Sequence, residues 1–217
     1  ALASMGIYVF SANYLRSVLK TDHALDTSSH DFGKNIIPNA VSNDNIFAFP
    51  FLKGNTSASG YWRDVGTIDA YWEANINLAE LEPDLNMYDK KWPIWTYQEQ
   101  LPPAKFAFDS DARRGMAVDS LISGGCLITG STVRRSVLFS NVRVHSYSEI
   151  SDSVILPDVE IKRNCRIRRC VIDKGSIIPE DTVIGENIED DRKRFYVSEK
   201  GVVLVTPEML GQDLHSL

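Results

Sequence analysis

The sequence predicts an α/β segment followed by a β-solenoid within one chain. Three observations carry that prediction. Branched apolar residues return every sixth position in the second half: Leu138, Val144, Ile150 and Leu156 form one run, and Ile172, Ile178 and Ile184 another. Ile161 and Ile167 sit between them after a one-residue slip. A period of six matches neither a helix nor a half-buried strand, but it fits a three-sided coil in which each hexad makes one short strand and one corner. Second, small or turn-forming residues stand where the corners should fall: Gly124, Gly125, Gly130, Ser140, Asn141, Ser151, Asp152, Asn164, Gly175 and Gly185. They tolerate tight, left-handed backbone. Third, the first half lacks the hexad and alternates β-rich and helical runs.

Taken in order, residues 4–10 read as a strand. Residues 11–20 follow as a helix, with Ser11 as cap and Tyr14, Leu15, Val18 and Leu19 on one stripe. Residues 22–30 are loop-like, and 32–37 form a short helix that Pro38 closes. Residues 46–49 are a second strand, 54–60 a loop and 61–65 a third strand. A long helix starts at the cap Thr67 and runs to Leu81. Ile68, Tyr71, Trp72, Asn75, Ile76 and Ala79 lie at helical spacing on it, and Pro83 stops it. Residues 93–103 hold three prolines and read as an extended crossing segment. Hexads then run from 117 to 188. Register breaks at Leu156-Pro157 and near Cys170 mark five-residue turns. A hairpin around Glu199-Lys200-Gly201 and a short helix from Pro207 complete the chain. The expected division is 1–105 and 106–217.

The 217 residues are 43% hydrophobic, enough for a sizeable core, and carry a formal net charge of −6. That balance argues against nucleic acid as the main partner, because a phosphate backbone demands a basic face. No apolar run approaches a membrane span, and no signal peptide is visible. The chain opens on Ala1 rather than methionine and is expected to be a piece of something longer. Cys126, Cys165 and Cys170 are odd in number and lack metal-type spacing. They read as reduced thiols filling small interior positions of a cytoplasmic protein.

Several motifs together carry a family resemblance. Ser4-Met5-Gly6-Ile7-Tyr8-Val9-Phe10, His30-Asp31-Phe32-Gly33-Lys34-Asn35-Ile36-Ile37-Pro38 and Tyr61-Trp62-Arg63-Asp64-Val65-Gly66-Thr67 resemble bacterial ADP-glucose pyrophosphorylase (glucose-1-phosphate adenylyltransferase). So do Gly124-Gly125-Cys126, Arg134-Arg135-Ser136-Val137-Leu138, Arg168-Arg169-Cys170-Val171-Ile172-Asp173 and Val183-Ile184-Gly185-Glu186-Asn187. The resemblance implies a partial Rossmann-like nucleotidyltransferase domain followed by a left-handed parallel β-helix. The handedness comes from the family, against the usual crossover rule. It further implies a magnesium-dependent reaction of ATP and glucose 1-phosphate, giving ADP-glucose and pyrophosphate for glycogen synthesis. Sugar-phosphate and AMP-type effectors and a homotetramer are implied too. The family's glycine-rich nucleotide loop and its catalytic and sugar-phosphate-gripping residues have no counterpart here, so the resemblance is to the C-terminal half, with no catalytic residue in this chain.

On that resemblance, Asp64 is expected to hold Mg2+; otherwise it is a surface carboxylate paired with Arg63. Ser4 and Tyr8 lie on one face of the first strand and match sugar contacts; alternatively they are a strand-start hydroxyl and a core aromatic. Asp31 and Phe32 match a glucose-pocket pair, though Asp31 can equally cap the helix at Phe32. Trp62 is a pocket wall or a core anchor. Arg134, Arg135, Arg143, Lys162, Arg163, Arg166, Arg168, Arg169 and Lys174 read as a solvated face or as an anion site. Lys174 falls where the family places a basic effector contact, often arginine, and lysine lacks the bidentate fork. Pro207 replaces another basic position of related sequences.

Two other readings stand beside this one. The chain can be a non-catalytic assembly subunit of a pyrophosphorylase-like complex, or a hexapeptide acyltransferase with His145 as base. The second gives no use to the first half. His23, His30 and His215 show no metal spacing.

Overall fold

The computed structural model describes residues 4–52, 60–110 and 112–213. His215 and positions 54–59 of the expected loop lie outside them. The chain divides into two compact units, the first ending at Trp62 and the second starting at Arg63.

The first unit is helical. Helix α1 (Ala12–His23) carries Lys20 and His23 in its last turn, where the helix dipole favours cations. Ser11 stands at its N-cap without making a side-chain bond. A single wide turn, Phe32–Ile36, leads directly into α2 (Ile37–Asn43). Pro38 therefore opens a helix instead of closing one. It lies in the first turn, where its missing N–H would have no intrahelical partner anyway.

The expected strands at 4–10, 46–49 and 61–65 join no ladder among the described residues. Gly6 is the local reason at 4–10, because its φ of +74° turns the chain out of the extended region. Val9 and Phe47 are 98% and 91% exposed, as side chains outside a packed sheet would be.

The second unit is a three-faced prism of short parallel strands. The first face stacks Lys105–Ala107, Leu127–Thr129, Arg143–Val144, Glu160–Ile161 and Ile177–Ile178. The second stacks Met116–Val118, Thr132–Arg134, Glu149–Ser151, Arg166–Arg168 and Val183–Ile184. The third stacks Leu121–Ile122, Val137–Leu138, Val154–Ile155, Cys170–Ile172 and Val203–Val205, with Tyr196–Val197 antiparallel at its edge. The coil thus begins at Lys105, earlier than the hexads suggested. This is the parallel β-helix expected.

Its repeat is shorter than three hexads. Stacked partners such as Ser136 and Ser153 lie 17 residues apart. The inward column is Leu138, Val144, Ile150, Ile155, Ile161, Ile167, Ile172, Ile178 and Ile184, each at most 2% exposed. Ile155, not Leu156, fills the rung after Ile150. Every step from the second face to the third is therefore one residue short, which is where the five-residue turns sit. Asp119, Arg135, Asp152 and Arg169 turn that corner with φ between 42° and 50°. Leu156 points outward and packs against Trp72 and its neighbours.

Small residues fill the inside of this corner. The amide of Ser136 donates to Ser120 Oγ (3.2 Å), Ser153 to Ser136 Oγ (3.1 Å) and Cys170 to Ser153 Oγ (3.3 Å). A second column runs Ser131, Ser148, Cys165 in the same way. Cys165 and Cys170 each extend a serine column by one winding, which explains why thiols stand there.

Helix α3 (Ile68–Asn77) lies on the third face. Thr67 Oγ1 caps it, accepting from the Ala70 amide at 3.2 Å. It stops at Asn77 rather than Leu81, because Leu78, Ala79 and Glu80 tighten into three-residue turns. Helix α4 (Ile188–Arg194) escaped the hexad reading. The Asn187 carboxamide caps it, acids fill its first turn and Arg192, Lys193 and Arg194 its last. It packs Ile188 against the inner column, and Asp191, 1% exposed, accepts the Gly185 amide at 2.8 Å.

Truncation separates the inward column from the outer faces. Ile155→Ala is expected to destabilise the protein by about 2–5 kcal/mol in urea unfolding, the cost of a core cavity. Ile177→Ala, at a side chain 45% exposed, should stay within about 0.5 kcal/mol. Equal losses at the two positions would contradict this register.

Candidate functional site

Within the first unit, the residues expected to meet a sugar gather around Gly6. A flat strand would hold Ser4 and Tyr8 about 13 Å apart. The left-handed turn at Gly6 instead brings Ser4 Oγ within 2.8 Å of the Tyr8 hydroxyl, and Ser4 Oγ accepts the Gly6 amide at 3.1 Å. The Tyr8 ring stacks on Phe32, with centroids 6.1 Å apart, and Phe10 packs against both. Asp31 caps the Phe32 turn, its Oδ1 accepting the Lys34 amide at 2.8 Å. Ser4, the half-buried Tyr8 and Phe32 therefore meet, with the exposed Asp31 next to Phe32 in the chain, giving a hydroxyl pair, an aromatic face and a carboxylate. That combination suits a polyol with an apolar ring face. Trp62 is 45% exposed and so is no core anchor.

A histidine group also lies in this unit. His30, in the left-handed region at φ 55°, places Nδ1 2.9 Å from Asp22 Oδ2. Ser28 Oγ donates to Asp22 Oδ1 at 2.6 Å. The bond from Ser28 and then that from His30 hold the Asp22 carboxyl below its ordinary range. The His23 ring is 6.0 Å away. Sequence spacing did not bring Asp22 to these rings. Among the described residues no three metal-ligating side chains converge.

In the second unit, Asp64 lines a groove of about 720 Å³ together with Arg63, Trp72, Arg135, Asp152, Arg168 and Arg169. Asp64 Oδ1 accepts the Gly66 amide at 3.1 Å, which ties the carboxylate to the approach to α3. Arg63 pairs with Asp84. The α3 helix that follows is fixed to the coil. Trp72 is buried and its Nε1 donates to the Asp152 carbonyl at 2.7 Å. The Arg169 guanidinium lies 4.5 Å from the Trp72 ring centroid.

Several of the solenoid cations are held in ion pairs. Arg166 reaches Glu186 through two bonds (2.9 and 3.1 Å), which hold Glu186 below its ordinary value. Arg135 pairs with Asp152. Lys162 and His145 both contact Glu160 Oε1 at 2.7 Å, and Lys162 is the larger cause of that carboxyl's lowered pKa. Lys174 is exposed, just beyond the Cys170–Ile172 strand. His145 follows the Arg143–Val144 strand of the first face, with Nε2 2.7 Å from Glu160 Oε1. The three thiols are free and buried. Burial pushes Cys170 up to about 12 and raises Cys126 and Cys165 too.

Comparison with known proteins agrees with both halves. A family model described as "Nucleotidyl transferase" matches residues 1–80, and one described as "GlmU-like, C-terminal hexapeptide" matches residues 102–205. The latter fits the left-handed winding expected. A glucose-1-phosphate adenylyltransferase of Methylococcus capsulatus is 60% identical over 215 residues, covering 99% of this chain and 51% of the relative. One of Methylobacillus flagellatus is 59% identical over 220 residues, covering 100% of this chain and 52% of the relative. One of a Shewanella species is 60% identical over 211 residues, covering 97% and 50%. The chain therefore spans about half the length of the curated relatives it matches.

The burial of the thiols predicts their chemistry. A raised pKa leaves them protonated at pH 8, and packing excludes reagent. Native protein should give no rapid reaction with an aromatic disulfide reagent, and denatured protein should react at three sites. Fast native reaction at Cys165 or Cys170 would contradict the serine-column packing.

Proposed function

We infer, because the chain belongs to the glucose-1-phosphate adenylyltransferase family and makes up the C-terminal half of such a protein, that the full-length protein transfers an adenylyl group from ATP to glucose 1-phosphate. The products are ADP-glucose and pyrophosphate, for glycogen synthesis. The observation that carries this reading is the roughly 60% identity over nearly the whole chain, across the α/β segment and the solenoid alike. A fold-level likeness alone would not carry an activity.

The site geometry supports specific roles. Ser4, Tyr8, Asp31, Phe32 and Trp62 would contact the glucose moiety. The hydroxyl pair and Asp31 supply polar partners for sugar hydroxyls, and the Phe32 ring an apolar wall. Asp64 would hold a divalent cation, Mg2+ on this reading. The fit is partial but chemically sound: one carboxylate, with Oδ1 engaged by the Gly66 amide, is a usual protein share for an ion otherwise held by phosphates. When bound, that ion neutralises negative charge gathering on the transferring phosphate. Asp64 itself needs only to stay ionised and aimed, which its bond to Gly66 serves.

Lys174 would meet a sugar-phosphate or AMP-type effector from the coil. As a point charge it would bind phosphate without bidentate geometry. The solenoid faces, strand edges included, would serve assembly into a homotetramer. The expected boundary at 105/106 would separate the catalytic from the regulatory part, and the cytoplasm is the compartment in which ATP and three free thiols belong together.

Pyrophosphate release from ATP and glucose 1-phosphate tests the reading. The full-length protein should be active, and the 217-residue chain alone inactive. Asp64→Asn in the full-length protein should lower kcat/KM by about a hundredfold or more with the fold intact. An inert full-length protein, or a fully active Asp64→Asn variant, would refute it.

A further inference from the structure

We propose that Asp69 is a positioning residue for Asp64, held in place by the hairpin that closes the coil. The inference rests on the metal reading of Asp64 given above. Asp69 lies in the first turn of α3, where the helix dipole alone would satisfy a carboxylate. Both of its oxygens are nevertheless engaged by the turn at 198–201. The Ser198 hydroxyl donates to Oδ1 at 2.5 Å, and the Lys200 amide to Oδ2 at 3.3 Å. These partners are 129 and 131 residues away in the chain.

The donor is itself fixed. Ser198 is 4% exposed, and its Oγ accepts the Val202 amide at 2.9 Å, so its proton points to Asp69. One helical turn on, Glu73 receives Lys200 Nζ at 2.7 Å, which raises the lysine pKa. The Lys200 carbonyl in turn accepts Arg169 Nη2 at 3.1 Å. Helix α3 is thus gripped at its N-terminal turn by polar contacts and along its body by Trp72.

The grip reaches Asp64 through a short path. Asp69 fixes the first helical turn, and Thr67 Oγ1 closes that turn on the Ala70 amide. The Gly66 amide, one residue earlier, binds Asp64 Oδ1. The direction of the Asp64 carboxylate is therefore set by where the helix begins, and the hairpin sets where the helix begins. The same hairpin strand, Val203–Val205, pairs with Cys170–Ile172, and the Asp173 amide donates to the Val205 carbonyl at 2.8 Å. Lys174 is the next residue. The hairpin consequently borders both the position proposed for the effector and the helix that aims Asp64.

The test measures Mn2+ binding to the full-length protein by electron paramagnetic resonance, with hydrogen exchange on the same samples. Asp69→Asn and Ser198→Ala should each weaken Mn2+ binding by about tenfold, the usual effect of losing a group that orients a ligand. Ser198→Thr should restore it. Exchange should rise over residues 63–77 and stay unchanged in the inner column. Lys193→Ala, on α4, serves as the control. Wild-type affinity in Asp69→Asn and Ser198→Ala, with binding lost in Asp64→Asn, would overturn the positioning role and leave the metal reading standing. Wild-type affinity in Asp64→Asn would overturn both. Loss of protection throughout the coil would make the contact a general structural one and also overturn the proposal.

Discussion

Each winding of the prism points one aliphatic side chain inward from each face, and no winding can cover its own. Ile150 is dry because Val133 and Ile167 stack above and below it on neighbouring strands. Full burial of such a side chain contributes roughly 1.5–3 kcal/mol. The stabilisation exists only when neighbours are present, so the solenoid is cooperative between adjacent windings. Its open end needs a lid, and α4 supplies one through Ile188, Phe195 and the buried Asp191. Everything attached to the coil inherits that rigidity, including the third face on which α3 lies.

The corner between the second and third faces links stacking to the site. Arg135 and Arg169 occupy left-handed backbone that costs a non-glycine residue roughly 1–2 kcal/mol. The distortion turns Arg169 over Trp72, and the neighbouring corner residue Asp152 offers its carbonyl to the indole. The short corner thus shapes the seat of α3. Strain of this kind persists where surrounding contacts over-determine it.

The period of six made the solenoid legible, and the left-handed positions Gly125, Gly130, Asn141, Asp152, Asn164, Gly175 and Gly185 fell on residues that the sequence marked, whereas Asp119, Arg135, Tyr147, Asp158, Arg169 and Asp181 adopt the same backbone unmarked. The register slip was legible too, but not its phase. Ile155 and Leu156 are both apolar because one faces the core and the other faces α3, and the pattern alone cannot rank them. The strand expected at 4–10 failed because Gly6 bends the chain, a backbone choice that composition leaves open. Pro38 was misread because proline suits the first turn of a helix as well as the end of one. Helix α4 was hidden by the hexads running into it, although its cap and charge order announced it. The motifs singled out Asp64, Ser4 and Tyr8 as candidates, but no local pattern could reveal that Ser198 and Lys200 return to Asp69 across the chain. Contacts of such separation are written in the fold, not in the spacing.

The coil is the platform from which the Asp64 carboxylate, the proposed metal ligand, is aimed. Anomalous diffraction from crystals of the full-length protein with Mn2+ and a non-hydrolysable ATP analogue tests it most directly. The account predicts a manganese peak within coordination distance of the Asp64 carboxylate, with α3 seated on the third face. A peak elsewhere, with Asp64 turned away from the bound phosphates, would contradict it.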